Sequence, residues 1–87
     1  MNKKQLVAEV SRRTNLPNYV VSAVLDVIVD TIIDTISKGE FVKLVGFGTF
    51  SLSIRKGRGV DIQTTLDSTY RLPKFKAGKT FKNIVNI

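Results

Sequence analysis

The 87-residue chain contains no cysteine, no histidine and no tryptophan. Without cysteine there is no disulfide or thiolate metal site to staple a small fold, and nothing at odds with a reducing compartment. Losing histidine and cysteine together removes the commonest general base and the thiol nucleophile, so the sequence is read as non-enzymatic. Acidic residues are scarce, seven against 14 lysines and arginines, for a formal charge of +7. No run approaches the roughly 20 apolar residues that a membrane-spanning helix needs. Nor does a long apolar core follow the basic start Met1-Asn2-Lys3-Lys4, which predicts no secretory signal and a cytoplasmic location. There is no internal repeat and no low-complexity segment.

What is present divides unevenly. Residues 1–50 hold six basic and five acidic side chains, a net of +1, whereas residues 51–87 hold eight basic and two acidic, a net of +6. A near-neutral apolar half joined to a cationic half suits a scaffold that presents a polyanion-binding surface. Solubility alone is the plainer explanation of a moderate positive charge. A chain this short also buries too little surface for a robust core of its own, and with no staple available the remaining common route to stability is oligomerisation.

Asn2 followed three residues later by Gln5 is a capping-box pattern and predicts a helix from Lys3, with Leu6, Val7 and Val10 on its apolar face. It should close near Thr14-Asn15, because asparagine tolerates the left-handed conformation and Leu16 precedes Pro17. A second helix should run from Pro17 or Asn18 to Lys38, with Gly39 as its terminator. Its valines and isoleucines alone would favour a strand. The four-residue repeat of Asn18, Ser22, Asp26, Asp30, Asp34 and Lys38 decides for a helix with one polar stripe. The rest of its circumference is apolar over an arc too wide for one short helix and a small sheet to cover, which implies a second copy of the chain. Carboxylates at i and i+4 share a face, yet such stripes are usually solvated and magnesium sites recruit other ligands, so no metal or other cofactor is expected.

Residues 40–54 read as a β-hairpin. Phe50, Leu52 and Ile54 alternate with Thr49, Ser51 and Ser53, the period of two that marks a half-buried strand. Gly46 and Gly48 flank Phe47, so the backbone can take a positive φ on either side of a bulky anchor. Residues 55–69 then offer two glycines, several hydroxyls and the scattered apolar residues Val60, Ile62 and Leu66, a poor core segment that reads as an extended ribbon or a mobile loop. From Tyr70 the alternation returns, with Tyr70, Leu72 and Lys74 facing one way and Arg71, Pro73 and Phe75 the other. Pro73 restricts this strand to an edge or a bulge. Ala77-Gly78 breaks it, and a short helix over residues 79 to about 86 presents Phe81, Ile84 and Val85 on one side and Lys79 and Lys82 on another.

The order of these elements and the motifs VKLVGFGTF, RKGRG, LPKF and FKAGKTFKNIV resemble the HU/IHF family of bacterial DNA-bending, histone-like proteins across essentially the whole chain. The resemblance implies an α+β fold: an intertwined dimer with two N-terminal helices, a three-stranded antiparallel sheet extended into a β-ribbon arm, and a short C-terminal helix. It forms one DNA-binding domain, with residues 1–39 as the helical dimerisation base, 40–76 as the sheet with its arm at about 55–70, and 77–87 as the last helix. The implied function is architectural and largely sequence-nonspecific: a homodimer associated with the nucleoid that bends or compacts double-stranded DNA through minor-groove arms, a mode this family typifies.

Position by position, the resemblance makes Arg55, Lys56, Arg58 and Arg71 cationic residues of the arm, where guanidinium groups suit the negative potential of a narrow minor groove. Lys3, Lys76, Lys79 and Lys82 become phosphate contacts on the body, joined by the backbone amide of Gly46. Taken singly, each lysine is equally a solvated surface charge. Phe47, Phe50, Phe75 and Phe81 lie on the apolar faces and are read as core, not as base-stacking residues. The arm departs from the family pattern. Where relatives carry Asn-Pro after Gly-Arg, with the proline wedging between base pairs, this chain has Gly59-Val60, and Ser53 stands where arginine is frequent. The arm is also about four residues shorter, which takes about 7 Å from its reach at the usual rise per residue. A weaker bend and a smaller footprint follow. Two rival readings are a sequence-guided subunit of a heterodimer and a protein-interaction module that uses the ribbon to bind a partner protein.

Overall fold

Asn2 begins the ordered structure as expected: its side-chain oxygen accepts from the Gln5 N–H and the Gln5 side chain accepts from the Asn2 N–H, both at 2.9 Å. These reciprocal bonds satisfy two of the donors that a helix start leaves open. The computed structural model describes residues 1–56 and 69–87. Helix α1 spans Lys3–Thr14 and closes on Asn15 at φ 62°, whose N–H donates to the Ser11 carbonyl at 2.8 Å. Helix α2 spans Asn18–Ser37. The Pro17 carbonyl accepts from the N–H groups of Val20 and Val21, and Gly39, at φ 86°, ends the helix. There Gly39 N–H donates to Ile36 at 2.9 Å and Glu40 N–H to Thr35 at 3.2 Å, the paired bonds of a Schellman turn.

The chain divides into two compact units, Met1–Ile33 and Asp34–Ile87. In the first, α1 packs along the N-terminal part of α2, burying Val7 and Val21. Lys3 and Asp26 form an ion pair across the two helices at 2.6 Å. The Glu9 carboxyl sits below its ordinary range because the Arg12 and Arg13 guanidinium groups both donate to it. An open apolar groove of about 320 Å³ remains between the helices, lined by Leu6, Val10, Leu25 and Ile28 among others.

The second unit is built on the antiparallel sheet β1 (Val42–Leu44), β2 (Gly48–Lys56) and β3 (Thr69–Ala77), in that spatial order, followed by α3 (Lys79–Val85). Strands β2 and β3 pair without interruption from Gly48↔Ala77 to Lys56↔Thr69. Pro73 sits in β3, an edge strand, where its missing N–H forfeits no ladder bond. Four phenylalanines form the unit's apolar cluster, with ring centroids 4.7 Å apart for Phe50 and Phe75, 5.1 Å for Phe47 and Phe75, and 5.4 Å for Phe47 and Phe81.

One local expectation needs correction. The Leu44–Phe47 turn, closed by Phe47 N–H to the Leu44 carbonyl at 2.9 Å, uses a positive φ at Gly46 alone. Gly48 already lies in β2, and it is glycine for want of space: a Cβ there would stand 2.5 Å from the Phe75 ring and 2.6 Å from the Lys76 carbonyl.

Among the described residues the buried apolar side chains are Val7, Val21 and Ile36. Much of the apolar arc of α2 is open in the single chain, with Val27 63% and Ile33 57% exposed. No helix among the described residues is long and apolar enough to cross a membrane.

Candidate nucleic-acid interface

Residues directly opposite in an antiparallel pair project from the same face of the sheet, so the register sorts the side chains of the paired strands. Val42, Phe50 and Phe75 form one cross-strand row, continued by Leu52 with Pro73 and by Ile54 with Arg71. This is the apolar face, and the phenylalanine cluster grows from it. The opposite face carries the row Lys43–Thr49–Lys76, then Ser51 with Lys74, Ser53 with Leu72, and Arg55 with Tyr70. Lys43, Arg55, Lys74 and Lys76 are exposed and carry no intervening acid, so the strand alternation concentrates positive charge on one surface. The hydroxyls between them add neutral hydrogen-bonding groups of a kind that also serves phosphate oxygens.

The end of β3 passes this charge on to α3. Gly78 N–H donates to the Phe47 carbonyl at 2.8 Å, and Phe81 stacks on Phe47, fixing the helix against the hairpin turn. Lys79 and Lys82, three residues apart and exposed, therefore share a side of α3. The turn itself presents Gly46 at an exposed apex beside Val45, which is 92% exposed.

The site residues expected from the sequence are thus placed unevenly. Arg55, Lys76, Lys79, Lys82 and Gly46 all belong to the second unit, with Arg55 and Lys76 on the cationic sheet face. Lys56 pairs with Thr69 at the last rung of the ladder, and its side chain lies outside the described residues. Arg58 and Val60, together with the ribbon or loop expected of residues 57–68, also lie outside them. Lys3 belongs to the first unit, where it is engaged by Asp26. Arg71 is on the apolar face, and its guanidinium donates to the Ser37 carbonyl at 2.7 Å.

Two further cations, Lys43 and Lys74, lie on the face that holds Arg55 and Lys76 and were not among the expected contacts. Their signal was available in the spacing: Lys74 is two residues from Lys76, and Lys43 falls opposite Thr49 once the hairpin register is drawn.

The family model described as bacterial DNA-binding protein matches residues 1–86. The DNA-binding protein HU of Buchnera aphidicola is 39% identical over 89 residues, covering 98% of this chain and 97% of that protein. The DNA-binding protein HRm of Rhizobium meliloti is 40% identical, covering 99% and 100%. Among solved structures, an Anabaena HU–DNA cocrystal structure matches with a TM-score of 0.85 at 38% identity, covering 98% of this chain and 97% of that one. HU from Thermotoga maritima matches with a TM-score of 0.74 at 35% identity and 98% coverage of each chain. With the fold, the paired hairpin and the cationic face in place, the chain belongs to the bacterial DNA-binding protein family, as a member of its HU/IHF group.

Proposed function

We propose that the protein is a non-enzymatic architectural protein that binds double-stranded DNA as a homodimer and bends or compacts it with little sequence preference. The observation that carries this reading is the one-sided sheet: Lys43, Arg55, Lys74 and Lys76 project from one face while the phenylalanines occupy the other. The Anabaena relative, crystallised with DNA, supports it. The open apolar arc of α2 supports pairing with a second copy. In this reading residues 1–39 form the dimerisation base, residues 40–76 the sheet and arm, and residues 77–87 the closing helix. The protein works on the nucleoid in the cytoplasm.

The proposed contacts fall into two sets. Lys3, Lys76, Lys79, Lys82 and the Gly46 amide engage phosphates, which fix position and carry no sequence information. Lys43 and Lys74 join this set from the sheet face. Arg55, Lys56, Arg58 and Val60 belong to the arm, where minor-groove contacts discriminate poorly among bases. With Val60 in place of proline and a shorter ribbon, the bend is weaker than that of proline-tipped relatives, and phosphates supply more of the affinity.

A gel-shift series on random duplex across salt concentrations tests the reading. Affinity should fall steeply with salt, because each phosphate neutralised releases condensed counterions and contributes about 0.9 to the logarithmic slope. Replacing Lys79 and Lys82 together by alanine should weaken binding to all sequences alike and flatten that slope by about 2. A flat response, or no binding at low salt, favours the protein-interaction module. The bend is read from end-to-end fluorescence transfer on a short duplex, and one as sharp as a proline-tipped relative's overturns the weak-bend proposal.

A further inference from the structure

We infer that Arg71 is a positioning residue, a strut between the base of the arm and the C-terminal end of α2, and not a DNA contact. Two independent observations carry this. The first is its face: Arg71 stands opposite Ile54, in line with the Phe50–Phe75 and Leu52–Pro73 pairs, while Arg55, Lys74 and Lys76 project from the other side of the sheet. The second is its partner. The Arg71 guanidinium reaches 34 positions back along the chain and donates from Nη2 to the carbonyl of Ser37 at 2.7 Å.

Ser37 is the last residue of α2, and this helix end attracts a cation. The carbonyl end of a helix carries the negative pole of its macrodipole, which lysine or arginine in the last turn ordinarily offsets. Here the last turn holds no basic residue and includes Asp34, and Lys38 follows directly after it. Strand β3 adds a cation that donates directly to a carbonyl of that end. A hydrogen bond from a charged donor is stronger than a neutral one, and the planar guanidinium holds its direction better than a flexible ammonium would.

Its place along β3 gives the bond its consequence. Arg71 is the third residue of the strand, close to where the ribbon returns to the sheet, so the contact ties that point to the end of α2 within one unit. Together with the turn of Gly39 and Glu40 onto Ile36 and Thr35, it fixes both sides of the α2–β1 corner. Where the arm engages DNA, the direction in which it leaves the sheet sets how the duplex is drawn round. That consequence rests on the DNA-binding reading; the strut does not.

The test compares the full-length protein with Arg71→Gln and Arg71→Lys. In Arg71→Gln, hydrogen exchange at the Gly39 and Glu40 amides should accelerate roughly tenfold, as expected for losing a charge-assisted bond at that corner. The salt slope of duplex binding should stay at the wild-type value, and fluorescence transfer at saturating protein should report a shallower or broader distribution of bends. Arg71→Lys should exchange at an intermediate rate. A salt slope reduced by about 0.9 in Arg71→Gln makes Arg71 a phosphate contact and overturns the strut, as does wild-type amide exchange in both variants. If Arg71→Gln does not fold, Arg71→Lys decides: exchange faster than wild type supports the strut, and exchange at the wild-type rate overturns it. Should the unmodified protein bind no duplex, the functional reading fails while the exchange measurement still judges the strut.

Discussion

Gly46 and Gly48 stand two residues apart in the same hairpin and are glycine for different reasons. Gly46 needs its backbone angle, φ 88°, with open space where a Cβ would project. Gly48 needs room, because the Phe75 ring and the Lys76 carbonyl occupy the place of any side chain. Gly48→Ala should therefore destabilise by about 1–3 kcal/mol through overpacking against the phenylalanine cluster, whereas Gly46→Ala should lose only about 1–2 kcal/mol to left-handed strain. Thermal unfolding at one protein concentration ranks them. The tripeptide Gly-Phe-Gly announces a bend, and the positive φ at Gly46 was legible from it. The steric role of Gly48 was not, because Phe75 lies far along the chain and meets Gly48 only after β2 and β3 pair. Arg71 teaches a related lesson. Strand alternation already placed it with Pro73 and Phe75, while the family resemblance assigned it to DNA. Resemblance transfers a residue type to a position, but the side of the sheet it faces follows from the register.

The helices were the most legible elements, since their boundaries are written in short-range chemistry. Asn2 and Gln5 close a reciprocal cap, Asn15 takes the left-handed conformation, and Gly39 does the same after α2. Replacing Asn2 by alanine removes the acceptor of the Gln5 N–H and should cost about 0.5–2 kcal/mol, read from urea unfolding. Preserved exchange protection of the first-turn amides in that variant would show the cap to be dispensable. The strands were legible in period and less so in length. Strand β3 begins at Thr69, one residue before the point where alternation becomes clear, because pairing with Lys56 extends the ladder beyond what side-chain pattern alone reveals. Residues 57–68 lack a continuous apolar face to read.

At the level of the molecule, charge and apolar surface are segregated. The C-terminal part carries most of the positive charge, and the sheet sets Arg55, Lys74 and Lys76 on one face together with Lys43. Apolar surface is left over: Val24, Val27, Val29 and Ile33 of α2 remain 44–63% exposed in the single chain. If a second copy covers them, the melting temperature should rise with protein concentration, as mass action requires when the folded state associates. Val27→Glu should then lower the melting temperature markedly and shift sedimentation toward the monomer. An ordinary exposed valine would tolerate the change within about 0.5 kcal/mol, and such tolerance would count against pairing through this arc.

The amino-acid order alone settled what depends on neighbours within one or two turns: the caps of α1, the stop at Gly39, the polar stripe of α2, the alternation of β2 and the excess of cations after residue 50. It also held the motifs that place the chain in its family. Pairing across the sheet settled what depends on residues far apart in sequence. It put Lys43 and Lys74 on the face that holds Lys76, closed the space at Gly48, and brought the Arg71 guanidinium to the Ser37 carbonyl. Short-range hydrogen bonds and side-chain periodicity are properties of a segment, whereas a shared face and a steric clash belong to two segments once a register fixes which residues stand opposite one another.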